Sequence, residues 1–328
     1  MTADTPSRPV ILAVAKLPPF LAEPLAETFV VHDRIHETEP ELFAKLAPSI
    51  RGIVGSGESK VPRALMSRLP ALEIVSIMGV GYDGVDVAAA LERRVPVTHT
   101  PGVLDDEVAD LAIALMLCVA RRIPQADQHI RLGRWATQGP MPLARKVSGA
   151  RLGLVGIGRI GQAIAHRAEA FGMSIAYTAR QARPGVRYAF YPSAKELAGQ
   201  VDFLVVITPG GAGTLKLIDV GVLEALGPQG YLINVARGPV VDETALIEAL
   251  QTGVIAGAGL DVFENEPQVP EALCRLDNVV LTPHIGSGTR QTRQAMADLA
   301  ADNLRAHFAG QPLLSPVPEC LAGGARIS

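Results

Sequence analysis

The sequence predicts an α/β protein made of two doubly wound, parallel-sheet domains, and three observations carry that prediction. Short apolar runs alternate with helical stretches, once over the first hundred residues and again from Ala150 onward. A Gly-x-Gly-x-x-Gly turn joins one of these runs to a helical stretch. Polar residues follow the ends of the later runs, on the edge where doubly wound sheets bind ligands.

The elements follow in order. Val10–Ala15, Phe29–His32, Gly52–Gly55, Leu72–Met78 and Val95–His99 are short apolar runs, the pattern of strands covered on both faces. Glu41–Leu46, Pro62–Arg68 and Val85–Arg93 read as helices between them. In Leu104–Arg122 the residues Val108, Leu111, Ala112, Leu115 and Val119 recur at helical spacing. Asp105 and Asp106 occupy its first turn and Pro124 follows its end. Gly133–Ser148 reads as irregular. Six further strands are expected at Arg151–Val155, Ser174–Tyr177, Asp202–Ile207, Tyr231–Asn234, Ala256–Leu260 and Val279–Leu281. Helices are expected at Ile160–Phe171, Ala194–Ala198, Val220–Leu226 and Glu243–Thr252. A long amphipathic helix, Thr289–Ala309, carries Met296, Leu299, Ala300, Leu304 and Phe308 on one face. The pattern places a dinucleotide-type domain over 101–285. The other domain is expected over 1–100 plus 286–328, the last helix returning to complete it.

Composition narrows the function classes. The chain has 328 residues, 48% of them apolar and 19% charged, enough for two cores. A net charge of −3 gives no broad attraction to nucleic acid or to an anionic membrane. The longest apolar run, Leu111–Ala120, has ten residues, against about 20 for a membrane span. Val10–Ala15 is too short for a signal-peptide core. Cys118, Cys274 and Cys320 are scattered and odd in number, which fits a reducing compartment and predicts a cytoplasmic protein.

The glycine turn is Gly156-Ile157-Gly158-Arg159-Ile160-Gly161, directly after Arg151–Val155. Gly156 permits the tight turn, Gly158 lets the backbone approach a pyrophosphate, and Gly161 lets helix and strand pack closely. The pyrophosphate then lies on N–H groups at the helix start. An NAD-binding chain places an acid about 20 residues on, at the end of the second strand. Here that position reads Tyr177-Thr178-Ala179-Arg180, and no Asp or Glu appears before Glu196. A carboxylate there repels a 2′-phosphate, whereas Arg180, helped by Arg183, attracts it. Each such contact is worth about 1.5–3 kcal/mol, so the residues favour NADP(H) over NAD(H).

Three polar residues follow later strands: Arg237 in Asn234-Val235-Ala236-Arg237-Gly238, Glu266 in Asp261–Pro267, and His284 in Thr282-Pro283-His284-Ile285-Gly286. Reduction of a 2-oxo acid needs a cation for the carboxylate and carbonyl oxygen, and Arg237 provides a bidentate one. It also needs an acid for that oxygen as hydride arrives. His284 suits this role, and Glu266 beside it favours the imidazolium, raising its pKa, and fixes the tautomer.

At this point the chain resembles the D-isomer-specific 2-hydroxyacid dehydrogenase family, and within it the NADPH-dependent glyoxylate/hydroxypyruvate reductase branch. The resemblance runs from about Val10 to Pro312. It rests on Gly79-Val80-Gly81-Tyr82-Asp83, the glycine turn, Thr208-Pro209, Asn234–Asp242, Asp261-Val262-Phe263 with Glu266-Pro267, and Pro283-His284. It implies a Rossmann cofactor domain inserted in a flavodoxin-like substrate domain. It also implies an Arg237–Glu266–His284 triad, a substrate carboxylate on the backbone amides of Val80 and Gly81, and Asp261 on the nicotinamide carboxamide. The expected cofactor contacts are Gly156 to Gly161, Thr178, Arg180, Thr208, Pro209, Val235, Ala236, Asp261 and Gly286. The family is usually dimeric, with the Leu104–Arg122 region at the interface. Two features depart from its common pattern: the small residues Gly210-Gly211-Ala212-Gly213 after Pro209, and the missing acid on strand two.

Trp135 lies in a stretch similar to a loop of the reductase branch. It either closes the substrate site, from its own or the partner subunit, or anchors the dimer interface. His32, His36, His99, His129, His166 and His307 lack companions at metal-ligand spacing, so no metal is assigned. Two other readings stay open beside the reduction of glyoxylate or hydroxypyruvate. One is a nucleotide-sensing, corepressor-like binding protein, against which the short termini and missing acid weigh. The other keeps the scaffold with a different substrate, a larger 2-oxo acid such as hydroxyphenylpyruvate, or formate or phosphite.

Overall fold

The computed structural model describes residues 8–322 and divides the chain into two compact units. One runs to Leu104 and resumes at Arg290; the other is Asp105–Thr289. Each boundary falls four residues later than the sequence pattern places it, at the start of a long helix rather than in the loop before it.

The first unit holds a five-stranded parallel sheet in the order β2-β1-β3-β4-β5. Its strands are β1 (Val10–Ala13), β2 (Val30–Asp33), β3 (Ile50–Ser56), β4 (Ile74–Met78) and β5 (Val97–Thr98). That order is the flavodoxin-like one. Leu12, Ile53, Val75 and Ile77 belong to a buried cluster with Phe43, Met66 and Leu69. The helix Arg290–Phe308 returns onto β4 and the helix Pro19–Thr28. Ser76 interrupts the apolar run of β4 but stays fully buried, because its hydroxyl donates to the Ala300 carbonyl at 2.9 Å.

The second unit holds a seven-stranded parallel sheet, β12-β11-β10-β9-β6-β7-β8. The strands are β6 (Arg151–Val155), β7 (Ser174–Thr178), β8 (Ala189–Tyr191), β9 (Phe203–Val206), β10 (Tyr231–Asn234), β11 (Gly257–Leu260) and β12 (Val279–Leu281). The order reverses between β6 and β9, the crevice where doubly wound sheets bind dinucleotides. The strand count corrects the expectation of six. β8 is an outer strand of three residues, none of them buried, pairing only with β7, and so short and half-exposed a run gives no apolar signal. A second correction falls in Gly133–Ser148, where Arg134–Gln138 forms a helical turn. β11 is Gly-Ala-Gly-Leu for a packing reason: a Cβ at Gly259 would lie 3.0 Å from the Leu115 side chain. The small residues let the helix Asp105–Arg121 lie close against this strand.

No helix among the described residues is long and apolar enough to cross a membrane.

Candidate active site

All seven strands of the second sheet run parallel, so every residue just beyond a strand's C-terminus stands on the same edge. Gly156 follows β6, Arg180 follows β7, Thr208 follows β9, Arg237 follows β10, Asp261 follows β11 and His284 follows β12. The structure thus gathers on one edge the groups that the sequence scatters between Gly156 and His284.

The glycine turn has the shape that a phosphate cradle requires. Gly156 has φ +107°, and a Cβ there would stand 2.8 Å from the Ile207 carbonyl oxygen. A Cβ at Gly161 would lie 2.5 Å from the Gly156 carbonyl, which is the close helix–strand contact expected of it. Gly158 differs, since nothing lies within 4 Å of where its Cβ would be. Its open face leaves room for a ligand against the backbone. The helix begins at Arg159, and the N–H groups of Arg159 and Ile160 in its first turn find no acceptor among the described residues. At the end of β7, Thr178 is buried, whereas Arg180 and Arg183 are exposed and carry no ion-pair partner among the described residues. These are the unpaired donors and cations that a phosphorylated dinucleotide would occupy, so the residues present fit such a cofactor.

Glu266 and His284 are brought together, and contacts with the backbone hold Glu266 and Arg237 in place. His284 Nδ1 and Glu266 Oε2 are 2.7 Å apart, and the other Glu266 oxygen accepts from the Phe263 N–H at 2.9 Å. The carboxylate is therefore fixed at both ends. Arg237 is half-buried and extended, with its guanidinium donating to the Ala236 carbonyl at 2.8 Å. Asn234 shapes its turn, accepting from Ala236 N–H at 3.1 Å and donating to the Arg237 carbonyl at 3.1 Å. Gly238 then meets the Glu266 loop so closely that a Cβ would stand 1.9 Å from the Phe263 carbonyl. The Arg237 turn and the Glu266 loop interlock through that glycine.

Asp261 does more than the sequence suggests. Its Oδ1 accepts from the Thr282 hydroxyl at 2.6 Å and the Ile285 N–H at 2.8 Å, and its Oδ2 accepts from the Gly286 N–H at 2.8 Å. Its own carbonyl takes the His284 N–H at 2.9 Å. The side chain thus braces both flanks of His284, which sits at φ +52°, a region uncommon for non-glycine residues although histidine is among those that tolerate it best. Burial pushes the Asp261 carboxyl above its ordinary value, against the hydrogen bonds that pull it down. Sequence reasoning missed this brace, and also Asn234 and Gly238, because each acts through loops that only the fold brings together. Gly286, expected at the cofactor, has its N–H committed to Asp261.

The remaining expected residues are placed as follows. Pro209 is exposed and Thr208 half-buried, Val235 and Ala236 are buried, and Trp135 stands 62% exposed on Arg134–Gln138. Val80 and Gly81 lie in the first unit, just past β4, and their N–H groups donate to no acceptor among the described residues.

A glycine turn opening a helix, exposed arginines just past the next strand and a carboxylate-backed imidazole on the same edge define a dehydrogenase built on a dinucleotide-binding sheet. Residues 113–286 match the family model described as the D-isomer specific 2-hydroxyacid dehydrogenase, NAD binding domain. The chain is 51% identical over 277 residues to hydroxyphenylpyruvate reductase of Plectranthus scutellarioides, covering 84% of this chain and 88% of that one. It is also 51% identical over 269 residues to a glyoxylate/hydroxypyruvate reductase A of Arabidopsis thaliana, covering 82% and 86%. Among solved structures it resembles an NADPH-dependent glyoxylate/hydroxypyruvate reductase from Sinorhizobium meliloti in complex with NADP and malonate. That similarity has a TM-score of 0.91 at 51% identity and covers 96% of this chain and 98% of that one. The chain belongs to the D-isomer specific 2-hydroxyacid dehydrogenase family.

Proposed function

We propose that this chain reduces a small 2-oxo acid, glyoxylate or hydroxypyruvate, to the D-2-hydroxy acid with NADPH, and that His284 gives the proton. The observation that carries this reading is the 2.7 Å contact between His284 Nδ1 and Glu266, on the sheet edge that also bears the glycine turn and Arg237. The names of the relatives from Arabidopsis and Sinorhizobium support the reaction and the cofactor.

When bound, the nicotinamide supplies a hydride to the carbonyl carbon. The chain's own residues do the rest. The Gly156–Gly161 turn takes the pyrophosphate on its N–H groups, with Thr208, Pro209, Val235, Ala236 and Gly286 lining the cofactor beside it. Arg180 and Arg183 take the 2′-phosphate beside Thr178. In the second unit Arg237 polarises the substrate carbonyl, and in the first unit the Val80 and Gly81 N–H groups are read as holders of the substrate carboxylate. With Nδ1 held on Glu266, Nε2 of His284 is the nitrogen that protonates the carbonyl oxygen. Asp261 still has acceptor capacity on Oδ2 for the nicotinamide carboxamide, since a carboxylate offers about four lone-pair sites and protein donors take three. A second substrate reading, hydroxyphenylpyruvate, is favoured by the Plectranthus relative's name.

The enzyme is read as a cytoplasmic homodimer. Ile123, Ile130, Leu132, Trp135 and Leu143 are 47–102% exposed along one short segment, an apolar surface that a second copy would cover. Cys118, Cys274 and Cys320 are all unpaired, as a reducing compartment requires. Initial rates of NADPH oxidation with glyoxylate, hydroxypyruvate, pyruvate and 4-hydroxyphenylpyruvate test the reading. Turnover with the first two and its loss in His284→Ala are expected; a His284→Ala protein as fast as its parent removes the acid–base role.

A further inference from the structure

The sequence leaves His99 as an unassigned histidine, and the structure puts its ring against the loop that follows β4. His99 Nδ1 lies 3.0 Å from the Val80 carbonyl oxygen. A carbonyl accepts and cannot donate, so this nitrogen carries the proton. The Val80 carbonyl and the Gly81 N–H belong to one planar trans peptide and point in opposite directions. Holding the carbonyl therefore fixes where the Gly81 N–H aims, and that N–H has no acceptor among the described residues.

The His99 ring is itself held. Tyr82 meets it edge-on, with ring centroids 5.2 Å apart and planes at 89°. The Tyr82 hydroxyl donates to Glu319 at 2.9 Å. The backbone of His99 is tied on both sides to Ser315, its N–H donating to the Ser315 carbonyl at 3.1 Å and its carbonyl accepting from the Ser315 hydroxyl at 2.6 Å. Asn303 holds Ser315 in turn, through its side-chain amide on the hydroxyl at 2.8 Å and its side-chain oxygen on the Ser315 N–H at 3.1 Å. The Thr100 N–H donates to the Gly79 carbonyl at 2.8 Å, so the two loops are joined at a second point.

We propose that His99 is a positioning residue for the 2-oxo acid: it orients the Val80–Gly81 peptide so that the Gly81 N–H receives the substrate carboxylate. Tyr82 and Glu319 fix the imidazole that does this. The proposal rests on the reading of Val80 and Gly81 as the carboxylate holders. It goes beyond that reading by placing substrate affinity in a side chain that does not touch the substrate.

The test uses the full-length enzyme with NADPH and glyoxylate. His99→Leu removes the donor, while His99→Asn returns an N–H near the position of Nδ1. In His99→Leu the KM for glyoxylate rises on the order of tenfold, the value of one lost orienting hydrogen bond. The KM for NADPH is unchanged there, and His99→Asn recovers most of the loss. A His99→Leu enzyme with the parent's glyoxylate KM overturns the proposal. So does a pair in which Leu and Asn weaken glyoxylate and NADPH alike, since that marks a purely structural role. If His99→Leu does not fold, Tyr82→Phe carries the test: a smaller rise confined to the glyoxylate KM supports the proposal, and no rise overturns it. A crystal structure of the parent with NADP and oxamate separates the two levels. A carboxylate away from the Gly81 N–H sinks the underlying reading, and this proposal with it. A carboxylate on that N–H, with unchanged kinetics in the variants, sinks this proposal alone.

Discussion

The chemistry is held by single side chains whose contacts are short and directional. Glu266 is fixed at one oxygen by Phe263 N–H, and the other oxygen faces His284 Nδ1. Glu266→Gln keeps the shape but removes the charge that favours the imidazolium. The expected outcome is a fall in kcat of about 10²–10⁴. A Glu266→Gln enzyme with the parent's kcat counts against Glu266 as the partner of His284. Arg180 belongs to the same scale. Arg180→Asp sets a carboxylate where the 2′-phosphate would lie, and the ratio of kcat/KM for NADPH over NADH is expected to drop by about one to two decades. An unchanged ratio removes Arg180 from cofactor choice. The positions of Arg237, Glu266 and His284 past successive strands were legible in the sequence, because strand ends follow from the apolar runs. His99 was not, since its value lies in a carbonyl nineteen residues earlier.

Elements place those side chains, and two contacts between elements carry predictions. Gly238 lets the turn after β10 lie against the loop after β11, where an added Cβ would stand 1.9 Å from the Phe263 carbonyl. Gly238→Ala must move Arg237 and Glu266 relative to one another. A loss of about 10² in kcat/KM is expected, as for a misplacement near 1 Å, and steady-state kinetics on a protein of parental circular dichroism would show it. Asp202, just before β9, accepts from the Arg151 N–H at 2.8 Å and from the Arg151 and Arg145 guanidinium groups at 3.0 Å. The hydrogen bonds from Arg151 hold its carboxyl below the ordinary range, against the effect of burial. A depressed pKa contributes stability that is present above the unfolded value, about 3.9, and lost as pH falls through the folded one. Asp202→Asn is thus expected to destabilise by about 1.5–3 kcal/mol at pH 7. The gap from the parent should close below about pH 4; melting curves with a pH-independent gap would contradict it. Most strands were legible because a strand covered on both faces is a continuous apolar run. β8 was not, because Ala189-Phe190-Tyr191 covers only one edge of the sheet and is half-exposed.

At the scale of the whole molecule, the exposed apolar segment around Trp135 has two candidate uses, a wall for the substrate and a seat for a second copy. Trp135→Ala separates them. A raised KM for the 2-oxo acid with the parent's sedimentation coefficient by analytical ultracentrifugation is expected if the ring closes a site; a lowered sedimentation coefficient without a change in KM assigns it to an interface between copies. The amino-acid order by itself determined the two sheets, the glycine turn and the missing acid on the second strand. It could do so because burial periodicity and local turn chemistry are written in neighbouring residues. What only the tertiary structure decided was the bracing: Asp261 around His284, Asn234 and Gly238 around Arg237, Ser315 and Glu319 around the Val80–Gly81 loop. Those contacts join residues far apart in the chain, and a hydrogen bond exists only where folding has set a donor within about 3 Å of its acceptor.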